Sequence, residues 1–230
     1  MREIVLDTET TGFDPESGDR IVEIGAVELL NHMPTGRTYH QYINPNRAMP
    51  KDAFEVHGLG DEFLRDKPVF AKIGQAFLDF IGSDRLVIHN ASFDMKFLNA
   101  ELGWMKLPPI PQKQALDTLA IARKKFPGSP ASLDALCRRF GIDNTSRTLH
   151  GALLDSEILA KVYLELIGGR QPDFGLSSTT AGATDTSDSD GWRPRPRANP
   201  LVPRITKEET AAHAKFIDSI GDSAFWKKLG

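Results

Sequence analysis

Asp7 and Glu9 close the first apolar run of this chain, MREIVLDTETTG, with a single threonine between them. Side chains two apart on a strand share a face, and two carboxylates on one face repel each other unless something neutralises them. A Glu9 that simply lies in solvent at the strand end is the plain alternative, and the pair alone does not decide. Asp94 adds a third acid, in HNASFD, where a helix begins after a short strand with Ser92 as the expected cap. An acid in a first helical turn also complements the helix dipole, so that role stays open. Asp155, in HGALLDSEIL, falls among Leu153, Leu154, Ile158 and Leu159, where an unpaired carboxylate is costly to bury. His150 stands five residues before Asp155, about 140° away on a helix of 3.6 residues per turn. It therefore belongs to the loop entering that helix, and Gly151 is expected to give the loop the freedom to fold the imidazole over the site. A structural histidine is the competing reading.

The elements that must position these groups are legible from periodicity. Glu3 to about Leu6 reads as a buried strand, Arg20–Leu30 as a second and the alternating Arg37–Asn44 as a third, a meander joined by short turns. Val69–Gly82 has helical spacing, Arg85–Asn90 is strand-like and Ser92–Leu102 is helical. Further helices are expected near Ala115–Lys125, Ser132–Phe140 and Ala152–Ile167. The sum is an α/β fold, a sheet flanked by helices, ending near residue 170. Beyond Gly168 the segment GLSSTTAGATDTSDSDGWRPRPRANP offers little to bury and reads as a flexible linker. After it, Ala211, Ala212, Lys215, Phe216 and Ile220 fall along one side of a helix, followed by Phe225 and Trp226. Aromatic anchors on a tethered helix point to a docking segment; a frayed tail is the alternative.

Of the 230 residues 40% are hydrophobic, enough for a buried core, and the longest apolar runs fall far short of the roughly 20 residues that span a bilayer. The N-terminus lacks the pattern of a signal peptide and Cys137 is the one cysteine, so a cytoplasmic protein without disulfides is expected. Twenty-eight basic against 31 acidic residues give a net charge of -3, which argues against a protein that grips long duplexes by a global positive field. It does not argue against an enzyme that holds a few nucleotides at a strand end, where bound cations supply positive charge locally.

In order and spacing, DTETTG, HNASFD and HGALLDSEIL resemble the three motifs of the DEDD exonuclease superfamily, in the variety with a histidine five residues before the last aspartate. HGL at His57, LDTLAIAR from Leu116 and SLDALCRRFGID from Ser132 look like the proofreading 3'-5' exonuclease subunits of bacterial DNA polymerase III. So do EETAAHAKFIDSI and Trp226 in the tail.

The resemblance implies a ribonuclease H-like mixed sheet and three regions. These are an exonuclease domain over 1–170, a clamp-binding peptide with flexible linker over 171–204, and a polymerase-docking segment over 205–230. It implies Asp7, Glu9, Asp94 and Asp155 as ligands of two divalent cations, Mg2+ or Mn2+, with Asp7 as the bridge. His150 is the implied general base, an imidazole with an ordinary pKa of about 6.5 being suited to take a proton from the attacking water. A terminal-nucleotide pocket is implied at Thr10, Thr11, Gly12, Phe13, Asp52, Val56, His57 and Phe93, with His89 near the phosphate. Core packing of Phe13 and Phe93, and a turn at Gly12, are the alternatives. Gln171, Phe174 and Leu176 in QPDFGL stand where such subunits carry a sliding-clamp peptide; the bland reading is the start of a linker. The implied partners are a single-stranded or mispaired DNA 3' end, the polymerase alpha subunit and the clamp, at a nucleoid-associated replisome. An RNA-trimming relative and a catalytically silent adaptor are the competing functions.

Overall fold

The computed structural model describes residues 1–145, 147, 149–168 and 205–221. The chain divides into two units, Met1–Leu176 and Ser177–Gly230. The first contains a five-stranded sheet, β1 (Arg2–Thr10), β2 (Ile21–Leu30), β3 (Met33–Tyr42), β4 (Arg85–Ile88) and β5 (Ala115–Asp117), in the order β3-β2-β1-β4-β5. The meander β1-β2-β3 is antiparallel, while β4 adds to β1 in parallel and β5 to β4 in parallel. The helices are α1 (Lys51–His57), α2 (Asp61–Leu64), α3 (Phe70–Ile81), α4 (Ala91–Trp104), α5 (Thr118–Lys125), α6 (Leu133–Phe140) and α7 (Ala152–Ile167). This is the mixed, ribonuclease H-like sheet flanked by helices that the motifs imply.

The strand period of two sorts β1 onto two helical layers. Ile4 and Leu6 pack with Phe70 and Phe77 of α3 and Phe97 of α4, whereas Val5 packs with Leu159 and Tyr163 of α7. Burial on both faces explains the unbroken aliphatic run Ile4–Leu6. By the same alternation Asp7 and Glu9 follow Val5 towards the α7 side, and Thr8 follows Leu6 towards α4.

Several boundaries differ from the sequence-based expectation, each for a local reason. β1 runs on to Thr10 rather than stopping near Leu6, because Asp7, Thr8 and Glu9 stay paired with Gly25, Ile24 and Glu23 of β2. β3 starts at Met33, not Arg37, because Asn31 and His32 both adopt left-handed backbone (φ 51° and 65°) and close a tight hairpin that pairs Leu30 with Met33. The helix expected from Ala115 begins at Thr118. Ala115–Asp117 pair with Leu86–Ile88, and the Asp117 carboxylate then caps α5 by accepting from Leu119 N. Ser92 is not the cap of α4: Asn90, in left-handed backbone at φ 68°, precedes the helix and Ser92 lies in its first turn. α1 and α2 carry no strong periodic signal and were not expected.

In the second unit α8 (Lys207–Ile220) begins with a capping box. Thr206 Oγ1 accepts from Glu209 N and Glu209 Oε2 accepts from Thr206 N. Ala211, Ala212, Lys215, Phe216 and Ile220 are all exposed on it. Gln171, Phe174, Leu176, Phe225, Trp226 and the expected linker lie outside the described residues. Among the described residues no helix is long and apolar enough to cross a membrane.

Candidate active site

The ends of β1, α4, α5, α6 and α7 meet around a cavity of about 450 Å³. Asp7, Glu9, Asp94, Asp155 and His150, five residues drawn from three distant stretches of chain, all border it. Register explains the convergence. Asp7 is paired with Gly25, and an added Cβ at Gly25 would stand 2.1 Å from Leu153 N and 2.2 Å from the Ala152 carbonyl carbon. The bare glycine backbone thus lets the first turn of α7 rest directly on β2, where Ser156 Oγ donates to Gly25 O at 2.9 Å. Asp155 is thereby held beside the end of β1. A register shift between Glu9 and Thr10 ends the regular pairing just past the second acid.

Asp94, Asp155 and Glu9 are buried, and Asp7 is half-buried. Burial, then the charges of Asp94, Glu9 and Asp155, raises the Asp7 carboxyl well above the usual carboxylate range. Glu9 is pushed up to about 8 by burial and by Asp155, Glu23 and Asp94. Asp94 is pushed up to about 7, mainly by burial, against the hydroxyl of Thr8, which donates to Asp94 Oδ1 at 2.7 Å. Asp155 behaves differently: burial favours its neutral form, but hydrogen bonds from His150 and Arg147 outweigh that and lower its pKa. Three acids are therefore driven towards protonation, first by burial and, for Asp7 and Glu9, then by neighbouring carboxylates, a condition that a bound cation relieves. Glu9, His150 and Asp155 each offer a ligand atom within 4.8 Å of the others, a group able to hold a metal ion; Asp7 and Asp94 border the same cavity without belonging to that tight cluster.

Sequence reasoning missed Arg147, whose guanidinium ties the site together. Its Nε and Nη2 donate to the two oxygens of Asp155 at 2.5 and 2.7 Å, Nη1 donates to Asp134 at 2.8 Å, and Nη2 lies 2.7 Å from His150 Nδ1. A basic residue three before the histidine was the available signal. His150 sits on the loop before α7 as expected, anchored by its backbone N–H donating to Val56 O at 3.1 Å. Gly151, however, has extended backbone (φ -152°, ψ 123°) open to any residue, so the position of the imidazole does not depend on glycine freedom.

A second cavity, of about 610 Å³, adjoins the first through Thr8, Glu9 and Phe93. Thr10, Thr11, Gly12, Phe13, Asp52, Val56, His57 and Phe93 all line it, while His89 borders the acidic cavity instead. Phe13 is 87% exposed, so it is no core residue; Phe93 packs at a tilt of 47° against Phe97 (centroids 5.0 Å apart) and borders both cavities. At Gly12 the close approach is made by the protein itself: an added Cβ would fall 2.3 Å from Asp19 Oδ2, and Asp19 accepts from Thr11 Oγ1 and Asp14 N. His57 Nδ1 accepts from Leu59 N at 3.0 Å, and its buried Nε2 has no hydrogen-bond partner among the described residues. Burial lowers its pKa, opposed more weakly by a contact with the Thr10 backbone, so the ring stands on the wall of this cavity with Nε2 lacking a well-formed partner.

An acidic cavity at the end of a mixed sheet beside a nucleotide-sized apolar cavity defines the class of protein, and the family model described as Exonuclease matches residues 4–163. A DNA polymerase III subunit epsilon of Rickettsia felis is 50% identical over 223 residues, covering 96% of this chain and 97% of that one. The subunit epsilon of Escherichia coli K12 is 45% identical over 240 residues, covering 98% and 97%. A solved structure of Exonuclease X in complex with 5' overhanging duplex DNA is 27% identical, with a TM-score of 0.57, and the match covers 72% of this chain and 90% of that one. The chain belongs to the exonuclease family, among the DNA polymerase III epsilon subunits, and is a proofreading 3'-5' exonuclease.

Proposed function

We propose that Asp7, Glu9, Asp94 and Asp155 hold two divalent cations, Mg2+ or Mn2+, and that His150 acts as general base in removing the 3'-terminal nucleotide of a DNA strand. The observation that carries this reading is the convergence of the four acids and the histidine on one cavity. Their donor set, carboxylate oxygens with one imidazole, suits hard divalent cations, and the raised pKa values of Asp7, Glu9 and Asp94 mark a deficit of positive charge. When bound, such ions polarise the scissile phosphate and activate the attacking water.

The chain's own residues do the rest. Thr8 holds the Asp94 carboxyl in one orientation by its 2.7 Å hydrogen bond. His150 has two arrangements for Nδ1: it donates to Asp155 Oδ2 at 3.3 Å, or it accepts from Arg147 Nη2 at 2.7 Å. In the first, the neutral ring carries its proton on Nδ1 and leaves the Nε2 lone pair free to take a proton from water; in the second, Nε2 is already protonated. The base-competent tautomer is the one in which Nδ1–H faces Asp155 rather than Arg147. The larger cavity receives the terminal nucleotide. There Phe13 and Phe93 offer aromatic faces that stack on any base, and His57 offers a donor to the sugar.

We assign a catalytic part to 1–170, a connecting part with a clamp peptide at Gln171, Phe174 and Leu176 to 171–204, and to 205–230 a docking segment that binds the polymerase alpha subunit at a cytoplasmic replisome; a second unit that contains α8 agrees with a separate docking segment. Asp7→Ala should abolish release of mononucleotides from a mispaired 3' end, at least about a thousandfold, while the full chain still captures the alpha subunit. Removal of 205–230 should give the opposite pattern, and Gln171→Ala with Phe174→Ala should weaken clamp binding in surface plasmon resonance. Wild-type turnover by Asp7→Ala would defeat the catalytic assignment.

A further inference from the structure

Arg123 stands apart from the other charged groups of the acidic cavity. It lies in the last turn of α5 and borders the cavity together with Leu119, one turn earlier. Its guanidinium is exposed and makes no hydrogen bond or ion pair among the described residues, although five carboxylates, those of Asp7, Glu9, Asp94, Asp134 and Asp155, share the cavity wall. The other guanidinium there, Arg147, is committed to Asp134 and Asp155. Arg123 also begins a basic tract. Lys124 and Lys125 follow it, and Arg138 and Arg139 close α6. The guanidinium of Arg139 lies 4.3 Å from the ring centroid of Phe126, which caps α5, so the basic ends of the two helices are held side by side. All five cations are exposed and none pairs with a carboxylate among the described residues, in a chain whose net charge is -3. Basic residues in a last turn complement the helix dipole, but that role does not require one of them to face a catalytic cavity.

We propose that Arg123 binds the backbone phosphate on the 5' side of the scissile one, and that the tract behind it guides the rest of the strand away from the site. The inference rests on the function proposed above. If the terminal nucleotide occupies the larger cavity and the bond is cut beside Glu9, Asp94 and Asp155, the strand leaves across the remaining wall of the smaller cavity, which α5 and the start of α6 supply. A guanidinium suits that place because it donates two parallel hydrogen bonds to one phosphate. A polyanion also needs a positive path past five carboxylates.

The test compares two substrates of the full-length chain with Mg2+. One is a short single-stranded oligonucleotide; the other is the p-nitrophenyl ester of thymidine 5'-phosphate, which lacks the phosphate in question. Arg123→Gln should raise KM for the oligonucleotide about tenfold more than for the ester. It should also make the dependence of log KM on log salt shallower by about 0.7. Arg123→Lys should recover part of the loss. Replacing the phosphate 5' to the scissile one by a neutral methylphosphonate should erase the difference between wild type and Arg123→Gln. An equal effect on both substrates, or a methylphosphonate effect undiminished in Arg123→Gln, overturns the assignment. A wild-type chain that hydrolyses neither substrate brings down the proposed function along with it.

Discussion

Glu9 and Asp94 hold the charge problem of the site in its plainest form. Glu9 is raised from 4.5 to about 8 and Asp94 from 3.8 to about 7, with burial the largest cause for both. A carboxyl whose folded pKa lies above its unfolded value contributes stability that is complete below the unfolded value and is lost as pH rises through the folded one. Metal-free protein should therefore lose stability between about pH 5 and about pH 8. Asp155, whose pKa is lowered, loses its contribution only below the usual carboxylate range, outside this window. Thermal melts in chelator should show Tm falling by several degrees from about pH 5.5 to about pH 8.5. Millimolar Mg2+ should restore it at the upper end and add little at the lower, where protons already do the neutralising. His57 and His89, whose pKa values are lowered, add stability as pH rises to about 6.5, so the decisive range lies above it: a Tm that is flat or rising from about pH 7 to about pH 8.5 in chelator would show that these carboxyls do not share a buried field.

At the level of elements, the site depends on how closely α7 lies on β2. The added Cβ in Gly25→Ala would meet backbone atoms of Ala152 and Leu153 at 2.1 to 2.4 Å, and backbone cannot rotate aside as a side chain can. The substitution should cost about 3 kcal/mol in denaturant unfolding. It should also lower turnover about tenfold or more by moving Asp155 away from Asp7. Stability within about 0.5 kcal/mol of wild type would mean that the helix does not rest on the strand as described. Such packing explains what the sequence discloses and what it withholds. α7 is legible to the residue because Ala152–Ile167 keeps an apolar stripe, interrupted only near its start by Asp155 and Ser156, between two glycines. ALDTLAIA suits a strand or a helix equally, and only the parallel pairing of Ala115–Asp117 with β4 decides its first three residues. The five motif residues, which the fold brings to one cavity, stood out in the sequence through their resemblance to exonuclease motifs. Arg147 was not, since its three partners come together only in the fold.

Across the whole molecule, a net charge of -3 conceals a division of labour. Carboxylates converge at one end of the sheet, while basic residues gather at the ends of α5 and α6, and of these Arg123 borders the same cavity. The arrangement accounts for a nuclease that needs no global positive field, since cations in the cavity and a short basic tract confine attraction to the place where the strand must lie. α8, with Phe216 62% exposed, belongs to the other unit and supplies the surface through which the enzyme is proposed to be tethered. The central claim is that the acids from β1, α4 and α7 exist to hold divalent cations. Anomalous diffraction from crystals soaked in Mn2+ with a bound nucleoside monophosphate tests it most directly. The account predicts anomalous density within ligand distance of Asp7, Glu9, Asp94 and Asp155, and loss of that density in Asp7→Ala crystals. A map with no anomalous peak beside those four carboxylates, at saturating Mn2+ and with the nucleotide in place, would contradict it.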